Sequence, residues 1–274
     1  MSTLSVLMSV YKKDNPLFLN QALISIWDNQ ILKPNQLVLV LDGKLSDRLN
    51  EVIDIWIRKL EKNIIIIKNR DNIGLTKSLN KGIPYCNSEY IARMDSDDIS
   101  DSKRFMLQVE FLKMNKNIDV LGGAILEFNH NNKRFKRIFP RNQKEILKKI
   151  AIASPFSHPT VMFRRKIFLD GNRYDEKHIT SQDISFWFHL LNNGYQLANL
   201  EEVVLKYRIT SETAKRRSFK KAFGEFQIYF KGIIQLFGLS LKLIYPLMRL
   251  IFRLLPIFLI KQIYNSKLRA LLNS

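Results

Sequence analysis

Tyr90-Ile-Ala-Arg-Met-Asp95-Ser-Asp97-Asp98 is the stretch on which the reading of the chain turns. A short strand-like run, 90–94, leads directly into three carboxylates within four positions. Carboxylates gathered this closely repel one another, so the spacing is costly unless a cation neutralises them. A hard divalent ion, magnesium or manganese, takes oxygen ligands and can bridge to a substrate diphosphate. The competing reading is a turn in which Asp97, Asp98 or Ser100 caps a helix near Ser102. The neighbouring segments weigh on that choice.

Upstream, residues 4–10 read as a buried strand, and Asn15-Pro16 opens a helix as N-cap and first residue. Leu19, Leu23 and Ile26 fall on one face of that helix. A second strand, 37–41, ends at Asp42-Gly43. A helix at 47–60, a β-branched strand at 64–67, a polar loop at 69–74 and a helix at 75–83 follow. Beyond the acidic run, Phe105, Val109 and Leu112 recur at helical spacing. Repeated strand–helix units predict an α/β fold with a doubly wound, mostly parallel, Rossmann-like sheet. Ligands of such sheets bind beyond the carboxyl ends of the strands. Asp42, residues 69–74 and residues 95–98 all lie at those ends, so three polar loops converge on one crevice.

The second half is less regular. It offers strands at 120–128 and 133–139, a helix at 143–152, an interruption at Ser157-His158-Pro159-Thr160, a helix at 183–193 and one or two strands at 195–205. The character changes again near Thr210, where a basic and aromatic tail begins.

Other residues carry chemistry with plainer alternatives beside it. A carboxylate at Asp42 can accept the N3–H of uracil, or simply close an Asp-Gly turn. Asn69, Arg70, Asn72 and Gly74 precede a helix N-terminus, which suits a phosphate or nucleotide as well as an ordinary loop. Asp183 opens an aromatic-rich helix, where it caps the helix or serves as a general base for a sugar hydroxyl. His158 is the second candidate base, with a structural histidine or an acceptor-binding wall as the favoured reading. Arg208 and Lys215-Arg216-Arg217 suit phosphates or a solvated basic face.

Composition narrows the partners. The 274 residues carry a formal net charge of +19, which calls for an anionic partner. From residue 203 onward there are fourteen Lys and Arg against two acids, so this last quarter carries +12 of the +19. The single cysteine, Cys86, excludes an internal disulfide. The first residues have no basic n-region, and no 18-residue uncharged apolar run occurs, so neither a signal peptide nor an ordinary membrane-spanning helix is expected.

Taken in order, Ser5-Val-Leu-Met-Ser-Val-Tyr11, Asn15-Pro16, Asp42, Asn72-Ile-Gly74, Asp95-Ser-Asp97-Asp98 and Gln182-Asp183 resemble glycosyltransferase family 2. The likeness runs over about residues 4–210, and the branch it resembles builds bacterial O-antigen and exopolysaccharide repeat units, amylovoran-type enzymes included. The resemblance implies a GT-A fold over residues 1–210, with a nucleotide-binding half at 1–115 and an acceptor-binding half at 116–210. It implies Asp42 on the uracil with Tyr11 beside it, and Asn72, Gly74 and Asp95 toward the rest of the nucleotide-sugar. It implies Asp97 as main metal ligand with Asp95 and Asp98 in support, and Asp183 as the base of an inverting transfer. The chain has Gln182 where many members have Glu. It also lacks the Gln-x-x-Arg-Trp motif of processive synthases, which favours addition of one sugar. The expected donor is a UDP-hexose (galactose or glucose). The expected acceptor is a GlcNAc or GalNAc on undecaprenyl diphosphate.

Two other classes compete. A sugar-nucleotide nucleotidyltransferase usually has a Gly-rich loop after its first strand, where this chain reads Ser9-Val-Tyr-Lys-Lys-Asp14. A non-catalytic basic protein for membrane or nucleic acid explains the charge but not the acidic cluster. Within the tail, 211–274, Lys231, Gln235, Lys242, Arg249 and Arg253 fall within an arc of roughly 40° on a helix. The rest of that surface is largely apolar. Pro246 and Pro256 are expected to break it into two or three short helices. Such helices suit an anionic membrane surface rather than nucleic acid, with cations toward the headgroups at the cytoplasmic face of a bacterial inner membrane.

Overall fold

The computed structural model describes residues 3–128, 134–178, 180–209 and 219–254, of which 219–221 and 252–254 are described by backbone alone. In chain order these are β1 (Leu4–Tyr11), α1 (Pro16–Ile26), β2 (Gln36–Asp42), α2 (Asp47–Leu60), β3 (Ile64–Asn69), α3 (Leu75–Gly82), β4 (Tyr90–Met94), β5 (Ile99–Ser100), α4 (Arg104–Met114), β6 (Val120–Phe128) and β7 (Arg134–Arg137). There follow α5 (Gln143–Lys149), β8 (Met162–Arg164), α6 (Lys166–Leu169), α7 (Gln182–Asn192), β9 (Leu197–Arg208), α8 (Phe219–Phe237) and α9 (Ile244–Leu254).

Local chemistry explains the starts of the early helices. Asn15 Oδ1 accepts from the N–H groups of Leu17 (2.9 Å) and Phe18 (3.4 Å), with Pro16 as first residue. Ser46 caps α2 through the N–H of Leu49, and the helix buries Leu49, Ile53, Trp56 and Leu60 at helical spacing. The central parallel strands are buried on both faces. β2 has no exposed residue; Leu37, Leu39 and Leu41 pack with α1 and α2, while Val38 and Val40 pack with α3 on the other face.

The sheet runs β3-β2-β1-β4-β8-β6-β9-β5, with β7 beside β6. Strands β3, β2, β1 and β4 are parallel, as the strand–helix units predict. Beyond β4 the sheet is mixed: β8 is antiparallel to β4 and β6, β9 runs parallel to β6, and β5 and β7 are antiparallel additions. The order is an α/β arrangement with helices on both faces. Its first four strands place their carboxyl ends along one edge.

The tail is built into the body. Ile228, Tyr229 and Ile233 of α8 enter the core that holds α7. A Cβ at Gly232 would lie only 2.4 Å from the Phe188 ring, so the glycine permits this close approach. The helical break falls at 238–243, ahead of Pro246, which sits in the first turn of α9 where proline is tolerated. The cationic stripe also differs from the expectation. Arg249 pairs with Glu225 at 2.8 Å and donates to the Ile152 carbonyl at 3.0 Å. Lys242 lies 3.5 Å above the Phe237 ring and donates to the Leu147 carbonyl at 3.4 Å. These two cations dock α9 on the body, because carbonyls and a carboxylate are there to receive them. The opposite face exposes Ile244, Leu247, Met248 and Ile251. Among the described residues no helix is long and apolar enough to cross a membrane. Lys215-Arg216-Arg217 and Pro256 lie outside the described residues, as does the side chain of Arg253.

Candidate active site

The carboxyl ends of the parallel strands line up. Tyr11 is level with Asp42, and Asp42 with Asn69; Met94 is level with Met8 on the other side of β1. The loops that follow these strands therefore meet at one edge.

Residues 95–98 form the turn between β4 and β5. The helix-capping reading fails here. α4 starts at Arg104 with no side-chain cap, and it is Asp101 that accepts from the Lys103 N–H at 3.0 Å. Instead, one oxygen from each of Asp95, Asp97 and Asp98 lies within 4.8 Å of the others. Arg208, at the end of β9, clasps the turn. Its backbone N–H donates to Asp98 Oδ1 (2.8 Å) and its Nε to the Asp97 carbonyl (2.8 Å). Its guanidinium stacks between Phe18 (3.9 Å) and Phe128 (4.7 Å). Asp98 is 1% exposed, and its Oδ2 has no hydrogen-bond partner. A buried polar atom left so costs about 1–3 kcal/mol, more when charged. Burial first, then the charges of Asp95 and Asp97, push the Asp98 carboxyl well above the usual carboxylate range. Burial and Asp95 raise Asp97 as well, against Arg93 and Arg208. An all-oxygen donor set with an orphaned carboxylate oxygen fits a hard divalent cation.

Three further residues, which their spacing alone does not mark, stand against the acidic turn. Asp14 Oδ2 accepts from the Tyr11 N–H (3.0 Å) and the Ser96 hydroxyl (2.8 Å). Its carboxyl is pushed up to about 7, by burial and then by Asp97 and Asp95. Arg93 pairs with Asp95 from behind, and Arg104 donates from Nη2 to the Arg93 carbonyl at 2.8 Å. Arg104 is fully buried, which lowers its guanidinium to about 9. A signal for these was visible: two arginines in otherwise apolar strand and helix faces are expensive to bury.

Asp42 is 3% exposed and works as a clasp. Its Oδ1 accepts from Asn69 Nδ2 (3.0 Å) and the Ile73 N–H (2.8 Å), its Oδ2 from the Gly74 N–H (2.9 Å). The loop bearing Asn72 and Gly74 is thereby held against β2. Gly43 allows the approach, since a Cβ there would meet the Asn72 nitrogen at 2.7 Å.

Asp183 is the second residue of α7 and is partly buried. Burial raises its carboxyl, opposed by the N–H groups of Ile184 and of Asp183 itself and by the Arg93 charge. A carboxylate made more basic in this way suits proton abstraction. His158 opens the short helical turn ahead of β8. It is 9% exposed, its Nε2 bonds the Tyr174 hydroxyl at 2.9 Å, and its ring packs edge-on to Tyr174 and Trp187. Burial, then Arg93, drives its imidazole well below the usual histidine range, so it is neutral.

Known proteins resemble this chain in sequence and in fold. The family described as "Glycosyl transferase family 2" matches residues 5–171. An amylovoran biosynthesis glycosyltransferase, AmsE, of Erwinia amylovora is 32% identical over 96% of this chain and 98% of its own length. A UDP-Gal:alpha-D-GlcNAc-diphosphoundecaprenol beta-1,3-galactosyltransferase of Escherichia coli is 34% identical over 98% and 97%. Among solved structures, S. aureus TarS 1-349 in complex with UDP-GlcNAc superposes with a TM-score of 0.63 at 17% identity. That match covers 92% of this chain and 82% of that one.

Proposed function

The chain belongs to glycosyl transferase family 2, and on that premise we propose that it transfers one hexose, galactose or glucose, from a UDP-sugar to a lipid-linked acceptor with inversion. The acceptor is a GlcNAc or GalNAc on undecaprenyl diphosphate, and the product is a repeat-unit intermediate of O-antigen, capsule or exopolysaccharide. The observation that carries this reading is the Asp95, Asp97 and Asp98 oxygen cluster, at the strand edge where nucleotides bind in such sheets. The E. coli relative, similar over nearly its whole length, is named for a UDP-Gal donor and a GlcNAc-diphosphoundecaprenol acceptor.

In this account Asp97 is the principal metal ligand, with Asp95 and Asp98 beside it. A bound magnesium or manganese ion supplies counter-charge to the diphosphate leaving group. The chain's own residues do the rest. Asp42 fixes the loop carrying Asn72 and Gly74, which with Tyr11 borders the base and ribose, and Asp42 Oδ2 keeps a lone pair for the uracil N3–H. Asp183 removes the proton of the acceptor hydroxyl as that oxygen attacks the anomeric carbon, and UDP departs on the opposite face. Arg208 holds the acidic turn and lends positive charge next to it. Residues 211–274 form a membrane-associating unit. The face of α9 bearing Ile244, Leu247, Met248 and Ile251 lies in the cytoplasmic leaflet of the inner membrane, where a lipid-linked acceptor is found. The test is a screen of UDP-galactose and UDP-glucose with synthetic lipid-diphosphate GlcNAc and GalNAc, read by mass. A hexose-extended lipid is expected; formation of a sugar nucleotide instead would move the chain to the nucleotidyltransferases.

A further inference from the structure

Arg93 is the one charge in β4, a strand buried between β1 and β8. Its backbone is pinned: the N–H donates to the Val161 carbonyl at 2.9 Å, and the carbonyl accepts from Arg104. The residue is 3% exposed. Nη2 pairs with Asp95, while Nε and Nη1 are buried with no hydrogen-bond partner.

As a stabilising device this is a poor arrangement. Burying a guanidinium costs desolvation energy, which one ion pair repays only when the remaining donors are also satisfied. Those on Nε and Nη1 are not. Apolar replacement of such pairs is often neutral or stabilising. Departures from good packing chemistry concentrate at functional sites, and Arg93 stands directly behind the acidic turn. It shares its face of the sheet with Ile91, in the core that contains Tyr174, Trp187 and the start of α7. Its charge is also felt at Asp97, Asp98 and Asp183.

We infer that Arg93 is a positioning residue, a buried fixed cation that holds the Asp95 carboxylate in the orientation needed to receive the donor diphosphate and its metal. With its unpaired donors sealed from solvent, it acts through Asp95 rather than by touching substrate. The inference rests on the donor reading given above.

The test uses the full chain with Arg93→Met, Arg93→Lys and Asp95→Asn, alone and combined. The readouts are the thermal midpoint and calorimetric binding of UDP with and without Mn2+. Arg93→Met is expected to fold with a midpoint below that of the parent, because Asp95 loses its counter-charge, and the combined Arg93→Met and Asp95→Asn variant to regain part of it. Its Mn2+-dependent UDP affinity is expected to fall about tenfold or more, as for residues that orient a metal ligand. Arg93→Lys should recover part of that affinity. Arg93→Met should add no further loss in the Asp95→Asn background. Unchanged UDP binding in Arg93→Met overturns the inference. So does additive loss with Asp95→Asn, or failure of both Arg93 variants to fold, which would make the role structural. A parent chain that binds no UDP under any condition overturns the donor reading itself.

Discussion

The backbone N–H of Arg208 donates to Asp98 Oδ1 at 2.8 Å, joining residues 110 apart in the chain. The first half of the molecule supplies the acidic turn, and the end of β9 holds it in place. Burial of Asp98 is tolerable because that bond and the Arg208 guanidinium partly meet its charge.

Removing the Arg208 side chain tests the clasp. Arg208→Ala loses the bond to the Asp97 carbonyl and the stack between Phe18 and Phe128. A stability loss of about 1–2 kcal/mol in urea unfolding is expected, with weaker UDP binding. Arg208→Lys keeps the charge but not the planar stack, and should recover only part of the loss.

Asp183→Asn is nearly isosteric and is no base at neutral pH. Turnover is expected to fall roughly a hundredfold or more, with UDP binding little changed. In the parent, the raised Asp183 carboxyl must be ionised to act. The acid limb of kcat/KM should therefore lie above the ordinary aspartate range, with activity lost as pH falls through it. His158→Ala should be mild in turnover, since His158 is neutral and bound to Tyr174. The reverse pattern would reassign the base.

The parallel half of the fold was readable because its strands are mostly apolar runs followed by polar loops. The Asn15 cap and the Leu49 to Leu60 spacing mark helix starts and faces locally. The second half was not readable in the same way. β8 has three residues and β5 two, too short for periodicity to register, and their neighbours come from distant segments. The acidic turn announced itself by repulsion alone. Arg93 and Arg104 stand out as cations in apolar surroundings, but only the sheet order sets Arg93 behind the acidic turn with Arg104 against it. For the tail, a helical wheel gave the arc of the cations but not its direction. Lys242 and Arg249 point inward because Phe237, Glu225 and the end of α5 stand there.

Asp14 gives the metal-free protein a pH dependence of stability. Its folded value, about 7, lies above the unfolded 3.8, so the folded state binds the extra proton between them. Stability from this group is therefore highest in acid and declines as pH rises from about 4 to 7. Asp14→Asn removes that decline. At pH 8 without metal, its thermal midpoint should exceed the parent's by about 2 °C or more.

The outward face of α9 is tested by substitution, not truncation. Cutting after residue 221 would remove Ile228, Tyr229 and Ile233 from the core and open the Gly232–Phe188 contact. Leu247→Glu with Ile251→Glu places charge only on the exposed face. Sedimentation with anionic phospholipid vesicles should drop sharply, with the thermal midpoint little changed. Activity should fall more on long-chain than on short-chain acceptors. Unaltered vesicle binding would leave α9 a purely structural helix.

Asp95, Asp97 and Asp98 are proposed to recognise a UDP-sugar through a divalent cation. The most direct test is UDP release from UDP-galactose and UDP-glucose in the presence of acceptor. Parent chain and Asp97→Ala are compared with Mn2+, with Mg2+ and with excess EDTA, and folding is checked by circular dichroism. Release by the metal-loaded parent with at least one donor is expected, and almost none in EDTA or with folded Asp97→Ala. Full release in excess EDTA, or by folded Asp97→Ala, would contradict that recognition.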